Sequence, residues 1–243
     1  MRQIYDLITT AAANNKRLFA LLIDPEKCIG TKLDTIISKV KLAHPDFILV
    51  GGSQLQKSVE ETVTRLKSST HIPVILFPGN VLQLTNNADA LLLLSLISGR
   101  NAEWLIGQHV KAAKSIIKSD LETISTGYIL IDGGNKTSVE RVSQTTPLKS
   151  DAIDEVVSTA LAGELLGNKL IYLEAGSGAK NPVPAIVITA VKQQIKIPLV
   201  VGGGLTSIEA VEEAYKAGAD IVVVGNYFET NSDAIIDFCA VRN

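Results

Sequence analysis

The sequence predicts an α/β fold, a TIM-type (β/α)8 barrel with the third helix missing or replaced, and three observations carry that expectation. Eight short runs of Val, Ile and Leu recur along the 243 residues, most of them separated by segments with apolar residues at helical spacing. That alternation marks parallel strands joined by crossover helices. The third and fourth runs are separated only by Asn80 to Asp89, about ten residues, fewer than a helical crossover needs. Glycines follow the seventh and eighth runs, at Gly202-Gly203-Gly204 and Gly225-Asn226, where such barrels commonly hold a phosphate.

Taken in order, Met1 to Asn14 predicts an N-terminal helix and Leu18 to Ile23 the first strand, which ends at Asp24-Pro25. Leu33, Ile36, Ile37 and Val40 keep helical spacing. The second strand, Phe47 to Val50, runs into Gly51-Gly52-Ser53, and Leu55, Val59, Val63 and Leu66 stripe its helix. Pro73 to Phe77 is the third strand and Ala90 to Leu96 the fourth, followed by a helix over Ala102 to Lys118. The fifth strand, Tyr128 to Ile131, leads into Asp132 to Ser150, rich in Gly, Asn, Ser and Thr, which reads as a lid or a disordered loop. A helix over Asp151 to Leu166 precedes the sixth strand, Leu170 to Leu173, and a helix starting near Pro182 and Pro184 follows it. Strand seven is Ile197 to Val201; Thr206 and Glu209 have the spacing of a capping box for the next helix. Strand eight, Ile221 to Val224, leads to a final helix near Asp233.

Composition narrows the function classes. With 46% hydrophobic residues and no Pro/Gly/Ser-rich linker, residues 1–243 form a single domain with a large core. A net charge of −2 with dispersed Lys and Arg argues against nucleic-acid binding. Cys28 and Cys239 lie far apart with no CxxC, so neither a disulfide framework nor a thiolate metal site is indicated. No apolar run, Ala90 to Leu94 included, is long enough to cross a bilayer, and no leader precedes Arg2; a cytoplasmic protein is expected.

The chemistry centres on KLIYLEAGSG, Lys169 to Gly178. Its β-formers stop at Glu174, which places a carboxylate at the carboxyl end of a buried strand, and the glycines beyond it let backbone N–H groups approach an anion. On the residues alone Glu174 is either a base or a structural acid paired to Lys27 or Lys169. Asp24 and Ser53 serve equally as helix caps or as oxygen ligands to a metal. His44, His71 and His109 are scattered without triad or ligand spacing. Arg100 and Lys27 are either solvated charges or partners for a diphosphate. Trp104 reads first as a core aromatic and second as the lining of an apolar groove.

LIDPEK at 22–27, VGGSQ at 50–54, FPGN at 77–80, YLEAGSGA at 172–179, VGGGLTS at 201–207 and VVGN at 223–226 together resemble the geranylgeranylglyceryl phosphate synthase family along essentially the whole chain. The resemblance implies a prenyltransferase that joins a polyprenyl diphosphate, expectedly geranylgeranyl diphosphate, to the C3 hydroxyl of sn-glycerol 1-phosphate in ether phospholipid biosynthesis. It implies Mg2+, with Asp24 and Ser53 as ligands, and a barrel lacking the third helix. It places Tyr172, Leu173, Glu174, Ala175, Gly176, Ser177, Gly178, Gly203, Gly204, Gly225 and Asn226 around glycerol phosphate, with Glu174 catalytic. It also implies a homo-oligomer, with at most transient membrane contact. The rival readings are another phosphate-binding barrel, a phosphosugar isomerase or a flavin enzyme, and a non-catalytic sensor of phosphate ligands.

Overall fold

The computed structural model describes residues 3–52, 58–79 and 83–242. Helix α1 (Ile4–Ala13) leads to β1 (Leu18–Ile23) and α2 (Thr31–Ala43), then β2 (Phe47–Val50), α3 (Glu60–Ser69) and β3 (Val74–Leu76). Strand β4 (Ala90–Leu96) follows, then a π-helical turn (Glu103–Gly107) continuous with α4 (Gln108–Lys118). Next come β5 (Glu122–Leu130), α5 (Ser138–Ser143), α6 (Ile153–Leu165), β6 (Leu170–Glu174), α7 (Ala185–Lys192), β7 (Leu199–Gly202), α8 (Ile208–Lys216) and β8 (Ile221–Val224). Two 3-10 turns (Asn226–Glu229 and Ser232–Ala234) precede α9 (Ile235–Ala240).

All eight strands pair in parallel, in chain order, and β8 closes on β1. Among the described residues no helix lies between β3 and β4, as the short spacing required. Side chains alternate across the closed sheet. Ala20, Leu49, Ile75, Leu92, Leu170, Val200 and Val223 fill the interior, and Leu21, Ile48, Val50, Ile171, Leu173 and Val201 pack outward against the helices. Each fully buried Leu or Ile contributes about 1.5–3 kcal/mol. Helix α1 stops the bottom of the barrel with Ile4, Ile8 and Ala11, and the Glu122 carboxylate accepts the orphan N–H groups of Ile4 and Tyr5 at its start.

Several boundaries differ from the sequence expectation. Strand β5 begins at Glu122, six residues before the expected Tyr128, because the polar run Glu122-Thr123-Ile124-Ser125-Thr126 hides a strand that pairs with β4 throughout. The 132–150 loop holds its own helix, α5, capped where the Thr137 hydroxyl accepts from the Glu140 N–H, and Ile131 bridges to Leu148. Helix α8 is capped by Ser207, whose hydroxyl accepts from the Ala210 N–H, rather than by Thr206. Helix α3 starts at Glu60; Leu55, expected on its stripe, lies outside the described residues.

Candidate active site

A cavity of about 420 Å3 opens at the carboxyl ends of the strands, where each strand hands over to its loop. Asp24 from the end of β1 and Glu174 from the end of β6 both line it. Ser177, Gly178, Gly203, Gly204, Gly225 and Asn226 line it as well, so the three glycine-bearing loops expected around a phosphate converge on one space. Where a Cβ would stand on Gly178, the nearest atom is the Asn226 amide nitrogen at 3.8 Å, which leaves that stretch of backbone open to a ligand.

Glu174 is the most perturbed acid of the cavity. Its side chain is buried, 6% exposed, and its Oε1 accepts from the Gly176 N–H at 2.7 Å. Burial raises the carboxyl from its ordinary 4.5 to about 7, against the opposing pull of the Gly176 N–H and the Tyr172 hydroxyl. Neither Lys27 nor Lys169 pairs with it, which removes the structural-acid reading in the form that invoked those lysines: Lys27 binds Asp24 and Glu229, and Lys169 stacks over the Tyr5 ring. Gly203 adopts φ +81°, and a Cβ there would sit 2.2 Å from Glu174 Oε1. The carboxyl therefore occupies the volume that any other residue at 203 would fill. Beside it the buried Tyr172 hydroxyl lies close enough to act on the Glu174 charge but is not aligned for a full hydrogen bond, and burial together with that charge holds its pKa well above 10. Tyr172 thus stays an O–H donor.

Elsewhere on the cavity wall, three strands round the ring from Glu174, Asp24 Oδ1 accepts from the Glu26 N–H at 3.0 Å. This ties a turn, not a helix: α2 starts only at Thr31, so Asp24 is no helix cap. Lys27 Nζ stands 3.6 Å from Asp24 Oδ2, 3.1 Å from Glu229 Oε1 and 3.2 Å from Asn226 Oδ1, and so links the β1 and β8 loops. Among the described residues no three His, Cys, Asp or Glu converge as a metal cage. One carboxylate at the edge of a polar cavity fits Mg2+, which takes most of its oxygens from water and substrate phosphate. Ser53, the other expected ligand, lies outside the described residues, as does Asn80.

A second, apolar cavity of about 100 Å3 adjoins the first, enclosed by Leu92 and Leu94 of β4, Trp104, Ala112 and Ile116. Gly52, Phe77, Tyr128 and Val139 line both cavities. Between them the rings of Phe77, Tyr128 and Tyr172 form a triangle with centroids 5.3–6.3 Å apart. Trp104 lines the apolar cavity, so the reading put first for it, a plain core aromatic, gives way to the second.

The period of two along β6 separates the expected residues. Tyr172 and Glu174 face inward, whereas Leu173 and Ala175 are buried among the helix-facing side chains and do not line the cavity. Gly176 acts through its N–H on Glu174. Arg100 turns back onto the Ile97 and Gly99 carbonyls, away from both cavities. Phe77, Tyr128, Val139 and Glu229 went unnoticed as site residues. The first two read as ordinary strand aromatics, and only the pairing of the strands, β5 directly against β6 and β3 by way of β4, brings them beside Glu174.

Comparison with known proteins agrees with this fold. The chain is 50% identical over 229 residues to the geranylgeranylglyceryl phosphate synthase of Zunongwangia profunda, covering 94% of this chain and 98% of that one. It is 47% identical over 230 residues to that of Flavobacterium johnsoniae, covering 94% and 95%. The crystal structure of (S)-3-O-geranylgeranylglyceryl phosphate synthase from Thermoplasma acidophilum, in complex with sn-glycerol-1-phosphate, superposes with a TM-score of 0.93 at 31% identity over 99% of this chain and 98% of that one. The PcrB family model matches residues 12–242, and the chain belongs to the PcrB family.

Proposed function

We propose that this protein is a prenyltransferase that joins a polyprenyl diphosphate to the C3 hydroxyl of sn-glycerol 1-phosphate and releases diphosphate. Its relatives carry the name of that synthase at up to 50% identity, and the Thermoplasma acidophilum structure holds sn-glycerol-1-phosphate. The observation that carries the reading is the contact between two unlike cavities: a polar one with a single buried acid, and an apolar one reached across Phe77 and Tyr128.

The glycerol phosphate anion rests on the glycine-bearing loops at Gly178, Gly203, Gly204 and Gly225, with Ser177 and Asn226 beside it. This orients the C3 hydroxyl towards Glu174, with the Tyr172 O–H as its neighbour. The prenyl chain lies in the apolar cavity and its reacting carbon near the Phe77–Tyr128 faces, whose ring quadrupoles favour developing positive charge. The C1–O bond of the donor breaks with its electron pair going to diphosphate, the glycerol oxygen forms the ether bond, and its proton passes to ionised Glu174. Lys27 offers a cation on the leaving-group side. Mg2+ bound at Asp24 would supply further neutralisation of the diphosphate charge. Helix α5, which sets Ser138 on the polar cavity and Val139 on both, shields the electrophile from water.

A geranylgeranyl-length donor, residence in the cytoplasm and self-association belong to the same proposal. Leu165 and Leu166 at the end of α6 and Ile186 on α7 are exposed, an apolar patch of the sort a second copy would cover. Among the described residues no helix is long and apolar enough to cross a membrane. The test is incubation with Mg2+, sn-glycerol 1-phosphate and diphosphates of several chain lengths. Diphosphate release with formation of an ether-linked product is expected. Saturable glycerol phosphate binding without diphosphate release from any donor would leave a sensor instead of an enzyme.

A further inference from the structure

Helix α4 has two apolar faces. The inner one, with Ala112 and Ile116, lines the apolar cavity. The outer one carries Val110, Ala113 and Ile117 at i, i+3 and i+7, a single stripe along the helix, extended by Ile106 on the preceding π-helical turn. Ile106, Val110 and Ile117 are 57%, 70% and 81% exposed, a concentration of apolar surface that solvent does not explain. Beside the stripe stand Lys111, Lys114 and Lys118, and α4 contains no acid. Lys111 pairs with Glu103, while Lys114 and Lys118 have no ion-pair partner among the described residues.

We propose that this face of α4 docks the protein on an anionic lipid surface. Two observations select that occupant over a second copy of the chain. Exposed apolar side chains flanked by unpaired lysines match a bilayer interface, where the apolar groups enter the acyl boundary and the lysines meet headgroup phosphates. The same helix also walls the apolar cavity, so docking brings that cavity to the phase in which a long-chain prenyl diphosphate dissolves. This last point rests on the prenyl-donor reading of the cavity; the surface chemistry does not.

The test is co-sedimentation of the full chain with phosphatidylcholine vesicles, with and without phosphatidylglycerol. Binding is expected only to the anionic vesicles and should fall in high salt. Val110→Glu and Ile117→Glu should each weaken it about tenfold or more, and Lys114→Glu and Lys118→Glu roughly fivefold or more each. None of these residues lines either cavity, so turnover of a short, water-soluble prenyl diphosphate should stay at the wild-type rate in every variant, while turnover of a vesicle-embedded long donor falls with binding. Failure of the wild-type protein to bind anionic vesicles overturns the proposal, as does binding that survives the Val110→Glu, Ile117→Glu double substitution. A change of oligomeric state in that double variant, with no vesicle binding by wild type, would assign the face to a second copy. Absence of diphosphate release from any donor, with vesicle binding intact, would instead remove the prenyltransferase reading and leave the docking face standing.

Discussion

Glu174→Gln should make the protein more stable at neutral pH while abolishing turnover, and the size of the effect follows from one carboxyl. In the unfolded chain Glu174 titrates near its ordinary 4.5; in the folded protein burial moves it to about 7. The folded state therefore binds more protons than the unfolded state within that window, so stability falls as pH rises through it. Below 4.5 the group is neutral in both states and contributes nothing; above about 7 it is ionised in both and the full penalty is present. A difference of about 2.5 pH units at 1.36 kcal/mol each is about 3 kcal/mol. Glutamine cannot ionise, and its amide oxygen can still accept from the Gly176 N–H. Urea unfolding of both proteins at pH 4.5, 6 and 8 isolates the effect, because every other titrating group cancels in the difference. The stability of Glu174→Gln relative to wild type should rise by about 3 kcal/mol across that range, on top of a constant offset from the substitution itself. Wild-type kcat/KM should climb with an apparent pKa near 7, since the ionised form is the base, and the variant should show no turnover at any of these pH values. A difference in stability that is flat with pH, or that falls, would refute the argument that Glu174 is held in the fold at the expense of stability.

Three further outcomes are expected. Asp24→Asn should raise the Mg2+ concentration needed for half-maximal turnover by about tenfold or more, with little change in the KM for glycerol phosphate; an unchanged Mg2+ titration removes Asp24 as a ligand. Gly203→Ala should lose about a hundredfold or more in kcat and about 1–3 kcal/mol in urea unfolding, because the new Cβ would stand 2.2 Å from Glu174 Oε1 at φ +81°; full activity would show that the carboxyl has room to move. Ala112→Phe should shorten the preferred donor, since it fills part of a cavity of about 100 Å3 and each excluded methylene is worth about 0.8 kcal/mol, or fourfold in kcat/KM; chain-length profiles that superpose with wild type would place the prenyl chain elsewhere.

How much of this was legible in the sequence depended on whether the signal was local. Strand ends were, because a run such as Leu170-Ile171-Tyr172-Leu173 stops at an acid and glycines, and those residue types have few other uses in that order. Asp24, Glu174 and the glycines of β7 and β8 followed directly. The start of β5 was not legible: Thr123, Ser125 and Thr126 suit a loop by composition, and only pairing with the leucines of β4 makes them a strand. The lining aromatics were hidden for a different reason. Phe77 follows β3 and Tyr128 sits on β5, about a hundred and about forty residues before Tyr172 in the chain, and an aromatic in such a setting looks the same whether it fills a core or walls a cavity. Lys27 was noticed, but its link to Glu229 and Asn226 spans about two hundred residues and exists only once β8 closes on β1.

The short third connection explains why two cavities of opposite character touch at all. Strand β3 is three residues long and meets β4 at Ile75–Ala90 and Leu76–Leu91, whereas β4 runs on to Leu96. Beyond Leu91 the leucines of β4 have β5 on one side and no β3 partner on the other. A crossover helix after β3 would lie over that seam and fill it to the density of the other strand–helix contacts. Here the cover comes instead from Leu84, from the inner face of α4 and from Val139 and Val142 of α5, and these leave a cavity among themselves. The gap in the regular βα alternation, visible in the sequence as ten residues where more are needed, is thus the physical origin of the apolar chamber. Its position beside Phe77 and Tyr128 then follows from closure of the barrel, which sets both rings at the rim of the cavity that holds Glu174.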